Sequence, residues 1–263
     1  METGLKVGHV ISFIEEWVSP SLARPGDNIG LQVGDSDWLV KAIFLSTDPT
    51  LAALSRALDK GANLVVSHHP LIFRPLSSLR GASEALLFAV KNDVAVYSAH
   101  TNLDVVKGGI NDLLINKLGL IDAQPLKEGD LPAMGRLGEL EKPVDLKGLA
   151  KLVQEKLGVD VRVLGDLGIQ VKRVALCGGG GSSLLRKAFE QKADVFITGD
   201  VNHHAALQAL DLGIAVIDAT HLATERVILP KLKEYLLEKI GEKGAQIPVY
   251  LNEEENLPWW GVE

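Results

Sequence analysis

The sequence predicts an α/β fold built from two similar three-layer α/β/α domains, the product of an internal duplication. Three observations point there. Short apolar runs alternate with helical patterns along most of the chain. The runs are apolar at nearly every position instead of every second one, as strands of a largely parallel sheet are when both faces are covered. The pattern of the first half also returns in the second.

In the first half, residues 41–46 (KAIFLS) read as a buried strand, and residues 50–60 repeat Leu and Ala at helical spacing. Residues 63–67 (NLVVS) form the next strand, 84–92 a helix, and 94–98 (VAVYS) a third strand. Residues 42–69 (AIFLSTDPTLAALSRALDKGANLVVSHH) then align without a gap on 173–200 (RVALCGGGGSSLLRKAFEQKADVFITGD). Ile43 meets Val174, Leu54 meets Leu185, Ala62 meets Ala193, and Leu64–Val66 meet Val195–Ile197. The VAV of Val94–Val96 is answered by the IAV of Ile214–Val216. Any two strand–helix–strand units look somewhat alike, but the motifs below favour duplication. The joint falls near residues 124–132 (QPLKEGDLP), polar and proline-bearing. The expected domains are therefore 1–124, completed by 246–263, and 125–245.

Composition excludes several classes. The 263 residues are 46% hydrophobic and 23% charged, ordinary for a chain with a substantial core and unlike a disordered or fibrous one. No apolar run reaches the ~18 residues of a membrane span. The first residues carry Glu15 and Glu16 inside their apolar segment, unlike a secretory signal. One cysteine cannot make an internal disulfide, which fits a reducing, cytoplasmic setting. A net charge of −7 without long Lys/Arg runs argues against nucleic acid and against membrane surfaces as partners.

Six of the seven histidines fall just after expected strands: His68 and His69, His100, His203 and His204, and His221. Sites of parallel α/β sheets form at those carboxyl ends, and His with Asp or Glu is the usual ligand set of zinc, iron and manganese. His100-x3-Asp104 (HTNLD) and His221-x3-Glu225 (HLATE) each follow a strand and place a carboxylate four positions on. One such pair is usually an ion pair on a helix face; two at equivalent places are harder to dismiss. Adjacent residues leaving a strand point different ways, so His68 and His69 are expected to serve neighbouring ions, one each. Two ions ~3.5–4 Å apart would suit hydrolysis.

Residues 199–204 (GDVNHH) offer either substrate contact, His204 foremost, or a helix start capped by Asp200 or Asn202. Residues 27–34 (DNIGLQVG) read only as a turn. The run 177–183 (CGGGGSS) lacks the lysine of a P-loop; a tight strand–helix turn is favoured over an anion cradle, and nothing local would activate Cys177 as a nucleophile.

Together these segments resemble the NGG-one-interacting-factor-three-like family, also called type 2 GTP cyclohydrolase I-like or dinuclear metal centre proteins. DNIGLQVG, SHHPL, HTNLDVVKGGIND, CGGGG, TGDVNHHAALQA and DATHLATER run in the family's order from Asp27 to Arg226. The resemblance implies two metal ions held by His68, His69, Asp104, His221 and Glu225, with Glu225 bridging and Asp104 holding mainly one ion. It places His100 at the edge as a ligand or a supporting group. It also implies a ring-shaped homohexamer, a short form without an inserted domain, and residues 247–251 (IPVYL) returning to the first domain. The implied function is hydrolysis of a nucleotide or other small polar substrate, GTP included, with His100 and His204 as catalytic candidates. The competing reading is a non-catalytic metal-binding ring that binds a protein or nucleic-acid partner. Zinc, iron, manganese and nickel all suit the donor set. Few cations stand near for a triphosphate: Arg74, Arg80 and Lys107 are the nearest in sequence.

Overall fold

The computed structural model describes residues 4–129 and 131–255. Two compact units divide the chain: residues up to Val106 together with those from Ile228 onward, and Lys107–Val227. Among the described residues no helix is long and apolar enough to cross a membrane.

The first unit opens with α1 (Val7–Trp17) and the edge strand β1 (Gly30–Val33). Then β2 (Ile43–Ser46), α2 (Leu51–Asp59), β3 (Leu64–Ser67), α3 (Glu84–Lys91) and β4 (Ala95–Ser98) alternate, and the short α4 (Thr101–Val105) follows. All residues of β2, β3 and β4 are buried, which is why their sequences lack a polar alternation. The helices α2 and α3 start where a side chain takes over an open amide. The Thr50 hydroxyl accepts from the Ala53 amide at 3.1 Å, and the Ser83 hydroxyl from Leu86 at 3.3 Å. Phe44, Val65 and Val96 line one sheet face and pack on Leu54, Ala57, Leu86 and Ala89.

The second unit begins with α5 (Ile110–Lys117), then β5 (Ile121–Glu128), β6 (Leu131–Asp145) and α6 (Leu146–Leu157). It continues through β7 (Arg162–Leu164), β8 (Gln170–Leu176), α7 (Leu185–Glu190), β9 (Val195–Thr198), α8 (His203–Leu212), β10 (Ala215–Asp218) and α9 (His221–Glu225). Ala175, Phe196 and Val216 line the sheet face that packs on Leu185, Ala188 and Ala209, as in the first unit. The chain then re-enters the first unit as α10 (Ile228–Glu242) and β11 (Val249–Leu251).

Sheet orders are β1-β4-β3-β2-β11 and β5-β6-β8-β9-β10-β7. The duplication holds to the residue. Ile43 pairs with Leu64 and Leu64 with Ala95; at the aligned places Val174 pairs with Val195 and Val195 with Ala215. Each repeat carries an antiparallel strand on its third parallel one, β1 on β4 and β7 on β10.

Three expectations change. The polar stretch 124–132 is no loose joint: apart from residue 130, which lies outside the described residues, it belongs to an antiparallel hairpin of β5 and β6. Its polarity reflects β5's place at the sheet edge, where most of its described side chains meet solvent. The second sheet is consequently mixed, with β6 antiparallel to β8, while the first is parallel except at β1. The units divide at 106/107 and 227/228, not near 124 and 245. The reason is an exchange of helices: α5, which follows the first repeat, packs on β6 and β8, and α10, which follows the second, packs on α1, β2 and β11. Residues 247–251 do return to the first unit, where β11 lies parallel to β2.

Candidate metal centre

Parallel register brings Ser46, Ser67 and Ser98 side by side at the carboxyl ends of β2, β3 and β4. The loops that follow therefore start together. His68 is buried, and its Nδ1 lies 3.0 Å from the Ala99 carbonyl oxygen. A carbonyl only accepts, so Nδ1 carries the proton and Nε2 the lone pair. His69 sets its Nδ1 2.8 Å from Asp48 Oδ1, and His100 its Nδ1 2.8 Å from Asp27 Oδ1. Asp27 also accepts from the Thr101 amide at 3.1 Å and from the Thr101 hydroxyl. Burial pushes the Asp27 carboxyl up, but the hydrogen bonds from His100 and Thr101 and the charge of His100 outweigh it and bring it down to about 2.

The three rings sit close: centroids are 4.8 Å apart for His68 and His69, 5.1 Å for His68 and His100, and 5.5 Å for His69 and His100. One ligand atom from each falls within 4.8 Å of the others. His68 and His69 turn their Nδ1 atoms to opposite neighbours, His68 toward the segment after β4 and His69 toward the segment after β2. Asp104 Oδ1 is 3.9 Å from His68 Nε2. His100 shares no helix face with Asp104: it is the cap of α4, with φ −107° and ψ −109°.

In the second unit the helix-face expectation holds. His221 opens α9, and its Nε2 lies 2.9 Å from Glu225 Oε1. Its Nδ1 rests 2.7 Å from Asp200 Oδ2. Glu225 is buried and His221 one-third exposed. The residue at the cap of α9 is Thr220, so the two His–carboxylate pairs are one residue out of step between repeats. Two glycines make room. A Cβ at Gly179 would lie 2.1 Å from Glu225 Oε1, and one at Gly199 2.5 Å from the His221 amide nitrogen.

The glycine run is a turn, and three of its amides bond internally. Gly178 N donates to Asn111 Oδ1 at 2.8 Å, Gly179 N to Thr224 Oγ1 at 2.9 Å and Gly181 N to Thr198 Oγ1 at 2.9 Å. Cys177 is buried beneath it. His203 and His204 are exposed in the first turn of α8, which starts where Asn202 Oδ1 accepts the Ala205 amide at 3.0 Å. Among the described residues, His204 belongs to no group of three or more converging His, Cys, Asp or Glu donors. Sequence reasoning missed Asp27, Asp48 and Asp200, the acids that hold three of the imidazoles. Asp48 and Asp200 both stand two residues past a buried strand, the one signal that could have marked them.

The residues fit a metal ion. Metal-ligating imidazoles need their second nitrogen fixed on an acceptor, and each of His68, His69, His100 and His221 has its Nδ1 placed on an oxygen.

Comparison with known proteins agrees with these motifs. Residues 5–258 match the Duf34/NIF3 (NGG1p interacting factor 3) family. A Methanocaldococcus jannaschii protein named GTP cyclohydrolase 1 type 2 homolog is 36% identical over 235 residues, 88% of this chain and 95% of that one. A Lactococcus lactis protein of the same name is 32% identical over 98% of this chain and 100% of its own. Among solved structures, a Bacillus cereus protein related to NIF3 superposes with a TM-score of 0.91 at 26% identity, covering 98% of this chain and 99% of that one. Reduced HcgD from Methanocaldococcus jannaschii gives 0.84 at 32% identity, covering 95% and 98%. On its sequence, its histidine-bearing loops and its fold, the chain belongs to the Duf34/NIF3 family.

Proposed function

We propose that the chain is a metal-dependent hydrolase of a nucleotide or another small polar molecule, holding two divalent ions through His68, His69, Asp104, His221 and Glu225. The observation that supports this best is the trio His68, His69 and His100, with ligand atoms inside 4.8 Å and each Nδ1 fixed on oxygen. A mixed imidazole and carboxylate set suits zinc, iron, manganese or nickel. Bound ions of this kind supply Lewis acidity and lower the pKa of a water molecule.

The chain's own residues do the rest. Ionised Asp27 keeps the proton of His100 on Nδ1, so Nε2 can take a proton from an attacking water and pass it to a leaving group. His204, exposed on α8, is assigned to hydrogen-bond the substrate. The names of the relatives make GTP the first substrate to try. On that route water adds at C8 of the purine and the resulting formamide is hydrolysed to release formate. The homohexamer implied by the resemblance belongs to the same proposal and is read by light scattering.

Element analysis of protein purified without chelator should find close to two transition-metal ions per chain, followed by formate release from GTP within a panel of nucleotides and phosphoesters. Glu225→Gln should cost more metal than Asp104→Asn, because an amide is a poor bridging ligand. No metal, even after exposure to zinc, iron and manganese, would sink the reading. Full metal loading with no turnover across the panel would leave a metal-binding scaffold instead.

A further inference from the structure

We propose that Glu255 is a positioning residue for the histidine cluster: its carboxylate staples the loop after β2 and so holds Asp48 against His69. Glu255 Oε1 accepts from the Asp48 amide at 2.7 Å and lies 2.9 Å from the Ser46 hydroxyl, while Oε2 accepts from the Thr47 amide at 3.0 Å. One carboxylate thus spans three consecutive residues with charge-assisted hydrogen bonds, the strong kind. The tail that carries it is fastened just upstream. Asn252 donates its amide nitrogen to the Leu45 carbonyl at 2.8 Å and its side-chain Nδ2 to Ser46 Oγ at 3.0 Å, and its Oδ1 accepts from Arg56 Nε at 3.2 Å.

Asp48 needs such support. Its side chain is 46% exposed, yet it makes the 2.8 Å contact that orients His69. An exposed carboxylate on a free loop would trade that contact for water. The repeat shows that this loop is tied wherever it occurs. At the aligned places in the second unit, the amides of Gly178 and Gly179 are held by Asn111 and Thr224. Only in the first unit is the tie a charged group from the end of the chain, and only there does the tied loop carry an acid that grips a histidine. Glu255 therefore acts on His69 through Asp48, without touching it.

The metal side of this inference rests on the proposed role of His69; the ring-orientation side does not. The test uses the full chain with Glu255→Ala, Glu255→Gln and, as a control on the same tail, Glu253→Ala. Ring ¹⁵N shifts of the histidines are read in metal-free protein, and zinc retention by chelator competition. In Glu255→Ala the His69 signals should move toward the tautomer mixture of free imidazole, and zinc retention should fall about tenfold. Formate should restore both, by supplying the missing carboxylate. Glu255→Gln should show the same loss without rescue, since its side chain fills the place formate would take. Glu253→Ala should change neither. Unaltered His69 signals in Glu255→Ala would overturn the proposal, as would a loss that formate cannot reverse. If the wild-type protein takes up no zinc, the hydrolase reading falls while the ring signals still decide the part played by Glu255.

Discussion

In the first unit a histidine just past β3, His69, is held by an acid just past β2, Asp48. In the second unit an acid, Asp200, stands at the place of His69, a glycine, Gly179, at the place of Asp48, and the histidine it holds, His221, has moved to the start of α9. The contact is the same, an imidazole Nδ1 on a carboxylate, at 2.8 Å in one unit and 2.7 Å in the other. What the duplicated scaffold preserves is a set of places at the carboxyl ends of parallel strands, with matching register. Which residue type fills each place is free to change, provided the ring remains fixed. Room must change with it: where the first unit carries His68, the second carries Gly199, against which the backbone of His221 is packed.

Gly199 is where the comparison breaks most severely. A methyl group there would sit 2.5 Å from His221 N and 2.7 Å from its Cα, and backbone cannot swing aside as a long side chain does. Gly199→Ala should lower unfolding stability by about 3 kcal/mol, the upper range of overpacking. It should also displace His221, seen as lost zinc retention. His68→Ala, at the matching place in the first unit, should lose zinc retention while the protein stays folded. A Gly199→Ala protein as stable as the parent, by urea denaturation, would show that the two places are not constrained differently.

The strands from β2 to β4 and from β8 to β10 were legible because burial on both faces writes itself as unbroken apolar runs, and the repeat because those runs recur with the same spacing. The donors His68, His69 and His100 were legible from their place after strands. The β5–β6 hairpin was not, since an edge strand such as 121–128 shows solvent a polar surface and looks like a linker. The exchange of α5 and α10 left no local mark either: Leu114 and Leu236 are apolar helix residues whichever unit they cover. Asp27 stands 73 positions from the His100 ring it holds, and only the folded chain brings the two together. The one-residue offset between His100 and His221, by contrast, was legible, since His100 stands four residues past Val96 and His221 five past the aligned Val216.

A milder test sets two of the orienting acids against each other. The Asp27 side chain is 5% exposed and that of Asp200 is 62% exposed. Water can replace the exposed acid at His221 but not the buried one at His100. Asp27→Asn should therefore reduce turnover by tenfold to about a hundredfold, the usual effect of removing such a partner. Asp200→Asn should cost only about threefold, the scale of a surface ion pair. Histidine ring ¹⁵N shifts should move for His100 in the first variant and barely for His221 in the second. Equal effects would mean that burial does not separate the two units in this respect.

The smallest effect expected concerns how the first helix after the glycine-run position begins. In the first unit Thr50 caps α2 through its hydroxyl, which accepts the Ala53 amide at 3.1 Å. At the aligned place the second unit has Gly181, which caps the short turn Ser182–Leu184 before α7 with no side-chain bond. Threonine could not stand there, because a Cβ at Gly181 would lie 2.6 Å from both Cys177 Cβ and Thr198 Oγ1. The first unit has no such crowding and uses the hydroxyl. Thr50→Ala should then destabilise by about 1 kcal/mol, since alanine neither bonds the open amide nor leaves water easy access to it. Thr50→Gly, which copies the second unit, should cost only about 0.3 kcal/mol, because glycine lets water reach the amides of the first turn. Both values follow from urea midpoints at unchanged slope. If Thr50→Gly cost as much as Thr50→Ala, the loss would lie in backbone freedom and not in the missing cap, and the bare start of the second unit would owe its stability to the packing of Cys177 and Thr198 around it.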